Sequence, residues 1–224
     1  MESRYERNIP AVSAEEQEIL KHKKVLVAGC GGLGGYVLEY LARIGVGELT
    51  FADGDVFEAS NLNRQILSSP DVLGRPKAQT ALERIRRINP DIRTKVFDAF
   101  LNAENADEMV SGQDLVIDAL DNVAARLLLE DTCARHQVTL VHGAIQGWAM
   151  QAAVIRPGEG VLHRLYGNEG ASASKTSLSF TPAACAAVET AEALKLLCGR
   201  PSSLEGKLLR ADLRTMEWTL IPLR

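Results

Sequence analysis

The sequence predicts an α/β fold: a Rossmann-like, doubly wound, mostly parallel sheet, extended by antiparallel strands at its C-terminal side. Three observations predict it. Short apolar runs alternate with stretches of helical periodicity between residues 25 and 142, as expected of strands buried on both faces and joined by crossover helices. A glycine-rich turn, Gly29 to Gly35, links the first apolar run to the first long helical stretch. Beyond residue 147 the alternation gives way to segments that read as antiparallel strands.

Taken in order, Ser13-x-x-Glu16 is a capping box opening a short helix that ends near Lys24. Residues 25–28 form a buried strand, 34–44 a helix stopped at Gly45, and 49–52 a second strand ending at Asp53: a βαβ unit. A helix over 77–88 stops at Asn89-Pro90 and is followed by a strand at 92–97. A short helix over 102–110, a strand over 114–118, a helix over 122–136 and a strand over 139–142 continue the pattern. Antiparallel strands are expected over 149–156 and 207–221, with a polar stretch (167–179) and an alanine-rich helix (183–198) between them. Without an internal repeat or a low-complexity linker, residues 1–224 read as one domain: a helical arm (1–24), a nucleotide-binding half (25–147) and an antiparallel extension (148–224).

Composition narrows the class. With 46% apolar and 24% charged residues the chain is an ordinary globular one, not disordered, collagen-like or disulfide-dense. Its 25 basic residues against 29 acidic ones argue against a nucleic-acid coat, which needs a basic face. The polar start predicts no secretory leader, and no apolar run approaches the roughly 18 residues of a membrane span. The cysteines, at 30, 133, 185 and 198, contain no C-x-x-C pair. Free thiols in the cytoplasm are the expectation.

Three constellations carry chemistry. Gly29-x-Gly31-x-x-Gly34 sits between strand and helix, with Asp53 nineteen residues on at the end of the second strand. Glycines permit a tight turn and close backbone approach, the helix N-terminus attracts phosphate, and the aspartate can accept from ribose hydroxyls. This motif alone does not separate NAD from ATP. Next come Asn61, Arg64 and Gln65, then Gly74-Arg75-Pro76-Lys77. Cations converging on the same crevice suit a triphosphate, whose leaving pyrophosphate must be neutralised; the alternative is that Arg64 and Lys77 are solvated surface charges. The third is Asp118-Ala-Leu120-Asp121-Asn122, at the carboxyl end of a strand. Its carboxylates could hold Mg²⁺, or Asp121 or Asn122 could simply cap the following helix.

Together these motifs resemble the MoeB/ThiF/HesA family, bacterial relatives of the ubiquitin-activating enzymes. The resemblance rests on Arg4-Tyr-x-Arg7, Gly-x-Gly-Gly-Leu-Gly (Gly29, Gly31, Gly32, Leu33, Gly34), Asp53-x-Asp55, Asn61-x-x-Arg64-Gln65, Gly-x-Pro-Lys77, Ile88-Asn-Pro90 and Asp121-Asn122, and spans residues 4–220. It implies an adenylyltransferase that uses ATP and Mg²⁺ to activate the C-terminal glycine of a small ubiquitin-like sulfur-carrier protein of the MoaD/ThiS type, with a Gly-Gly tail. It also implies roles. Asp53 is the ribose ligand; Asn61, Arg64 and Lys77 are triphosphate contacts, with Gln65 nearby; Asp121 is the Mg²⁺ carboxylate; and Asp55, Asp118, Leu120 and Asn122 complete the nucleotide set. Arg7 would reach the phosphates of a neighbouring subunit, making the functional unit a homodimer. A C-terminal carboxylate, with a pKa of roughly 3.3–3.7, is already ionised, so positioning and charge compensation suffice without a general base.

Two departures from the family pattern stand out. Many relatives carry paired C-x-x-C zinc ligands, but Leu162 and Leu165 stand where the first pair is expected, so no zinc is predicted. Many also carry a reactive cysteine in the crossover loop. Here residues 167–181 hold Ser172, Ser174 and Ser177 instead, and Cys185, just beyond, reads as a buried small side chain. Adenylation without a thioester step is the expectation. Cys30 is expected to pack under the turn, and Cys133 and Cys198 to belong to the core. His142 and His163, each on a strand, read as structural, Trp148 and Trp218 as packing residues, and Arg84, Arg86 and Arg87 as a solvated face. Two other functions compete. One is a catalytically quiet nucleotide-binding partner of a ubiquitin-like protein. The other, an NAD-dependent oxidoreductase, leaves Asn61, Arg64 and Lys77 unexplained.

Overall fold

A computed structural model describes residues 3–167 and 176–223. After a 3₁₀ turn at Ser3–Asn8 come α1 (Ala14–Leu20), β1 (Lys24–Ala28), α2 (Gly32–Ile44), β2 (Glu48–Ala52), α3 (Lys77–Ile88), β3 (Arg93–Phe97), α4 (Ala106–Val110), β4 (Leu115–Asp118), α5 (Val123–His136) and β5 (Leu140–Gln146). The chain continues through β6 (Ala149–Ile155), α6 (Val161–Tyr166), α7 (Phe180–Leu197), β7 (Lys207–Asp212) and β8 (Glu217–Pro222). Among the described residues these strands form one eight-stranded sheet in the order β3-β2-β1-β4-β5-β6-β7-β8. The first five are parallel and the last three antiparallel, as the sequence predicts.

Alternate side chains of the central strands feed two cores. Val25, Val27, Leu115 and Ile117 pack under α2, α3 and α7. Leu26, Ala28 and Val116 face α4, α5 and α6. This two-sided burial explains why residues 25–28 of β1 and 115–117 of β4 are apolar without a break. Strand order reverses between β1 and β4, leaving a crevice at their carboxyl ends, where open α/β sheets bind ligands.

Several boundaries differ from expectation. The first helix ends at Leu20, and α4 begins only at Ala106 because Asn102 and Asn105 bind local backbone and hold a turn. The segment 207–221 is a hairpin rather than one strand, turning at Met216 with a φ of 58°. His163 lies on helix α6, not on a strand, because the buried carboxylate of Glu130 accepts the N–H groups of Leu162 and His163 at 3.0 and 3.1 Å and caps that turn. Trp148 and Trp218 are exposed rather than packed inside. Arg84 is not merely solvated: its guanidinium donates twice to Glu39.

Candidate functional site

The glycine turn is fixed by steric need. Gly29 has a φ of +102°, and a Cβ there would stand 2.7 Å from the carbonyl oxygen of Ala119; a Cβ on Gly34 would stand 1.8 Å from the oxygen of Gly29. Backbone therefore packs on backbone where β1 meets α2 and where β4 meets α5. Both oxygens of Asp53 accept from the chain itself, Oδ2 from the Cys30 N–H at 2.8 Å and Oδ1 from the Asp55 N–H at 2.9 Å. Burial pushes the Asp53 carboxyl up despite those two bonds. The expected ribose ligand thus also ties the end of β2 to the glycine turn.

The cationic set converges on the same place. Lys77 opens α3 almost fully buried, its Nζ 2.5 Å from Oδ2 of Asp55. A buried, ion-paired lysine is not the solvated charge of the alternative reading. Gln65 lies under Gly31, with its Nε2 3.7 Å from where a Cβ would be, and its buried Oε1 has no hydrogen-bond partner. That orphaned acceptor at the turn fits a ligand that brings a donor. Arg64 packs its stem against Gly32 and donates from Nη1 to the Ser60 carbonyl and to Oδ1 of Asn63. Asn61 is buried, its Oδ1 accepting the Glu58 N–H at 3.0 Å.

On the other wall, Asn122 caps α5, its Oδ1 accepting the Ala125 N–H at 2.8 Å. The cap is therefore Asn122, and the exposed Asp121 precedes it at the mouth of the crevice. Among the described residues no group of three or more His, Cys, Asp or Glu could hold a metal ion by itself. A Mg²⁺ ion beside Asp121 would draw its remaining ligands from substrate and water, as this ion commonly does. No zinc ligand set replaces the missing cysteine pairs among the described residues.

Beneath this wall lies a buried network that sequence reasoning passed over. Asp118, fully buried at the end of β4, meets Nδ1 of His142 at 2.7 Å and Nε of Arg126 at 3.5 Å. Burial lowers the His142 pKa despite the carboxylate beside it. The neutral ring gives its Nδ1 proton to Asp118 and accepts the Tyr166 hydroxyl on Nε2, 3.1 Å away. That hydroxyl also accepts from Gln151 at 2.6 Å and Arg126 at 3.3 Å. One signal was legible: both residues sit on apolar runs, and Asp118 at the end of β4 is the register partner of His142 within the neighbouring β5. Nothing in the sequence announced Arg126 or Tyr166.

Arg7 is not brought to the crevice of its own chain. Tyr5 packs on Gly45 at the end of α2, and Asn89 at the end of α3 donates to the Tyr5 hydroxyl at 2.7 Å and pairs with Arg4. The Ile88-Asn-Pro90 motif thus anchors the arm that bears Arg7, near the amino ends of the strands. Cys30, Cys133 and Cys185 are buried and Cys198 partly so. Burial raises all four thiols, Cys133 to about 12. Ser172 and Ser174 lie outside the described residues, whereas Ser177 pairs with Gly147 in an isolated bridge.

Known proteins resemble this chain in sequence and in fold. The profile of the ThiF family matches residues 5–224. The SAMP-activating enzyme E1 of Haloferax volcanii is 37% identical over 230 residues, covering 99% of this chain and 85% of that protein. The sulfur carrier protein adenylyltransferase of Thermus thermophilus is 38% identical over 223 residues, covering 93% and 82%. In fold, the chain matches the Escherichia coli MccB crystal structure with ATP at a TM-score of 0.85 and 20% identity, covering 100% of this chain and 72% of that one.

Proposed function

The chain belongs to the ThiF family, and from that premise we propose that it is an adenylyltransferase that activates the C-terminal glycine carboxylate of a small ubiquitin-like sulfur-carrier protein with a Gly-Gly tail. One observation carries the reading. The glycine turn, Asp53, the orphaned Gln65 oxygen and the buried Lys77 share one crevice with Asp121 across its mouth. A hydride-transfer enzyme or an unreactive nucleotide binder has no use for that combination.

In this reading the glycine turn and the N-terminus of α2 hold the phosphates of ATP, and Asp53 meets the ribose. A carboxylate oxygen of the carrier attacks the α-phosphorus and forms the acyl-phosphate bond. The bond to the β-phosphate oxygen breaks, and pyrophosphate leaves with the electron pair; no proton moves. Arg64, Lys77 and Asn61 face the charge that builds on the leaving group. Mg²⁺ held by Asp121 and the triphosphate would supply Lewis-acid compensation of that charge. The reading includes no thioester step, since Cys30, Cys133 and Cys185 are buried and Cys198 is half-buried.

The carrier docks on the antiparallel half. Trp148 packs at a tilt against Phe180, with ring centres 5.0 Å apart, and both are exposed, as are Met216, Trp218 and Leu220 on or beside β8. The functional unit is a homodimer in which Arg7 completes the partner's site. An apolar groove beside the arm, lined by Tyr40, Ile44, Ala187, Ala191 and Leu194, supports this. The enzyme works in the cytoplasm, where free thiols persist.

The test is ATP–pyrophosphate exchange with Mg²⁺ and a panel of Gly-Gly-ended carriers added one at a time. Exchange that needs one carrier and is lost in Asp121→Ala is expected. ATP binding without exchange for any carrier would favour the quiet nucleotide-binding partner instead.

A further inference from the structure

Asp121 stands between two pinned neighbours. On one side Leu120 is held through both of its peptide groups: its N–H donates to Oδ1 of Asp118 at 3.0 Å, and its carbonyl accepts from Nη2 of Arg126 at 2.6 Å. On the other side Asn122 is bound to the first turn of α5. Asp121, which is exposed, lies between these two held residues.

The guanidinium that holds Leu120 is itself held. Only 11% of the Arg126 side chain is exposed. Its Nε lies 3.5 Å from Asp118, its Nη1 donates to the Tyr166 hydroxyl, and it stacks 5.4 Å from the centre of that ring. Tyr166 is in turn fixed by Gln151 and His142, and the helix bearing it is capped by Glu130. A planar fork reaching a carbonyl, a carboxylate and a hydroxyl together cannot be replaced by the single point charge of lysine.

We propose that Arg126 is a positioning residue for the adenylation step, and that Tyr166 sets its orientation, so that the Asp121 carboxylate is presented in one place. The inference rests on the adenylation reading above and adds to it which residues preorganise the carboxylate. Displacing a catalytic group by about 1 Å costs on the order of 100-fold in rate.

The test compares Arg126→Lys and Tyr166→Phe with the wild type in three readouts: kcat and KM for ATP in pyrophosphate exchange, amide hydrogen exchange at residues 120–122, and the melting temperature. We expect Arg126→Lys to lower kcat about 10- to 100-fold, with KM for ATP moving by less than about threefold. Residues 120–122 should exchange faster, and Tyr166→Phe should shift each readout in the same direction by less. Folded variants that keep kcat within about twofold would overturn the proposal, as would a change confined to KM. Should Arg126→Lys unfold at the assay temperature, Tyr166→Phe decides by the same readouts, since it keeps the ring and removes only the hydroxyl. Wild-type protein without exchange activity would defeat the adenylation reading alone. Amide protection at 120–122 would then decide positioning by itself, unchanged protection in the variants overturning it.

Discussion

Gly34 bears the tightest steric demand in the crevice, since any Cβ there meets the Gly29 carbonyl at 1.8 Å. Gly34→Ala is expected to force the turn open and abolish stabilisation by ATP, read as loss of the ligand-induced rise in melting temperature. Glu189 makes a different case. It is fully buried on α7 against Gly143, both oxygens lack partners, and burial, with the Asp118 charge adding, holds its carboxyl well above the ordinary range. The folded protein therefore keeps the proton while the unfolded chain releases it above about pH 4.3. Stability falls as pH rises through that window, by up to about 1.4 kcal/mol per pH unit for one proton. Glu189→Gln should flatten that slope between pH 5 and 8, as urea unfolding at several pH values would reveal. A parallel slope in the variant would mean that Glu189 does not titrate as argued. The glycines and Asp53 were legible because a turn signature has fixed spacing. Glu189 was not, because its burial depends on a helix crossing the sheet from a distant part of the chain.

Among the elements, α6 depends on a single partner. Its first N–H groups are satisfied by Glu130 of α5 rather than by a residue of its own. Glu130→Ala leaves those donors unpaired and should cost about 1–3 kcal/mol of stability in urea unfolding. A loss near zero would mean that water replaces the carboxylate. Unbroken apolar runs announced β1 and β4, and helical periodicity announced α2, because their packing is repeated and regular. His163 read as a strand residue, since the cap of its helix lies 32 to 33 residues away in sequence and no local pattern encodes it. Asn102 and Asn105 erased the first turn of the helix expected over 102–110 in a similar way, by binding backbone that the helix would have used.

For the whole molecule, the arm and the crevice lie at opposite ends of the parallel sheet. Arg7 can serve an active site only by reaching another copy. Arg7→Ala and Asp121→Ala proteins, each impaired alone, should therefore complement when mixed, because a mixed dimer carries one site with both residues intact. After subunit exchange about a quarter of the sites should be restored. Pyrophosphate exchange measured across mixing ratios tests this; no recovery despite subunit exchange would remove Arg7 from the partner's site.

The fold class, the parallel-to-antiparallel order and the glycine turn with Asp53 at the end of β2 were determined by the sequence alone. Strand periodicity and turn spacing are local properties, and each is written within a few neighbouring residues. Tertiary structure decided what supports that crevice: that Asn122 and not Asp121 caps α5, that Lys77 is buried against Asp55, and that Arg126, His142 and Tyr166 meet beneath the Asp121 loop. These contacts join segments 15 to 40 residues apart in the Tyr166 cluster and 22 residues apart at Lys77. Only the packing of α5, α6 and three strands against one another brings such side chains within hydrogen-bonding distance.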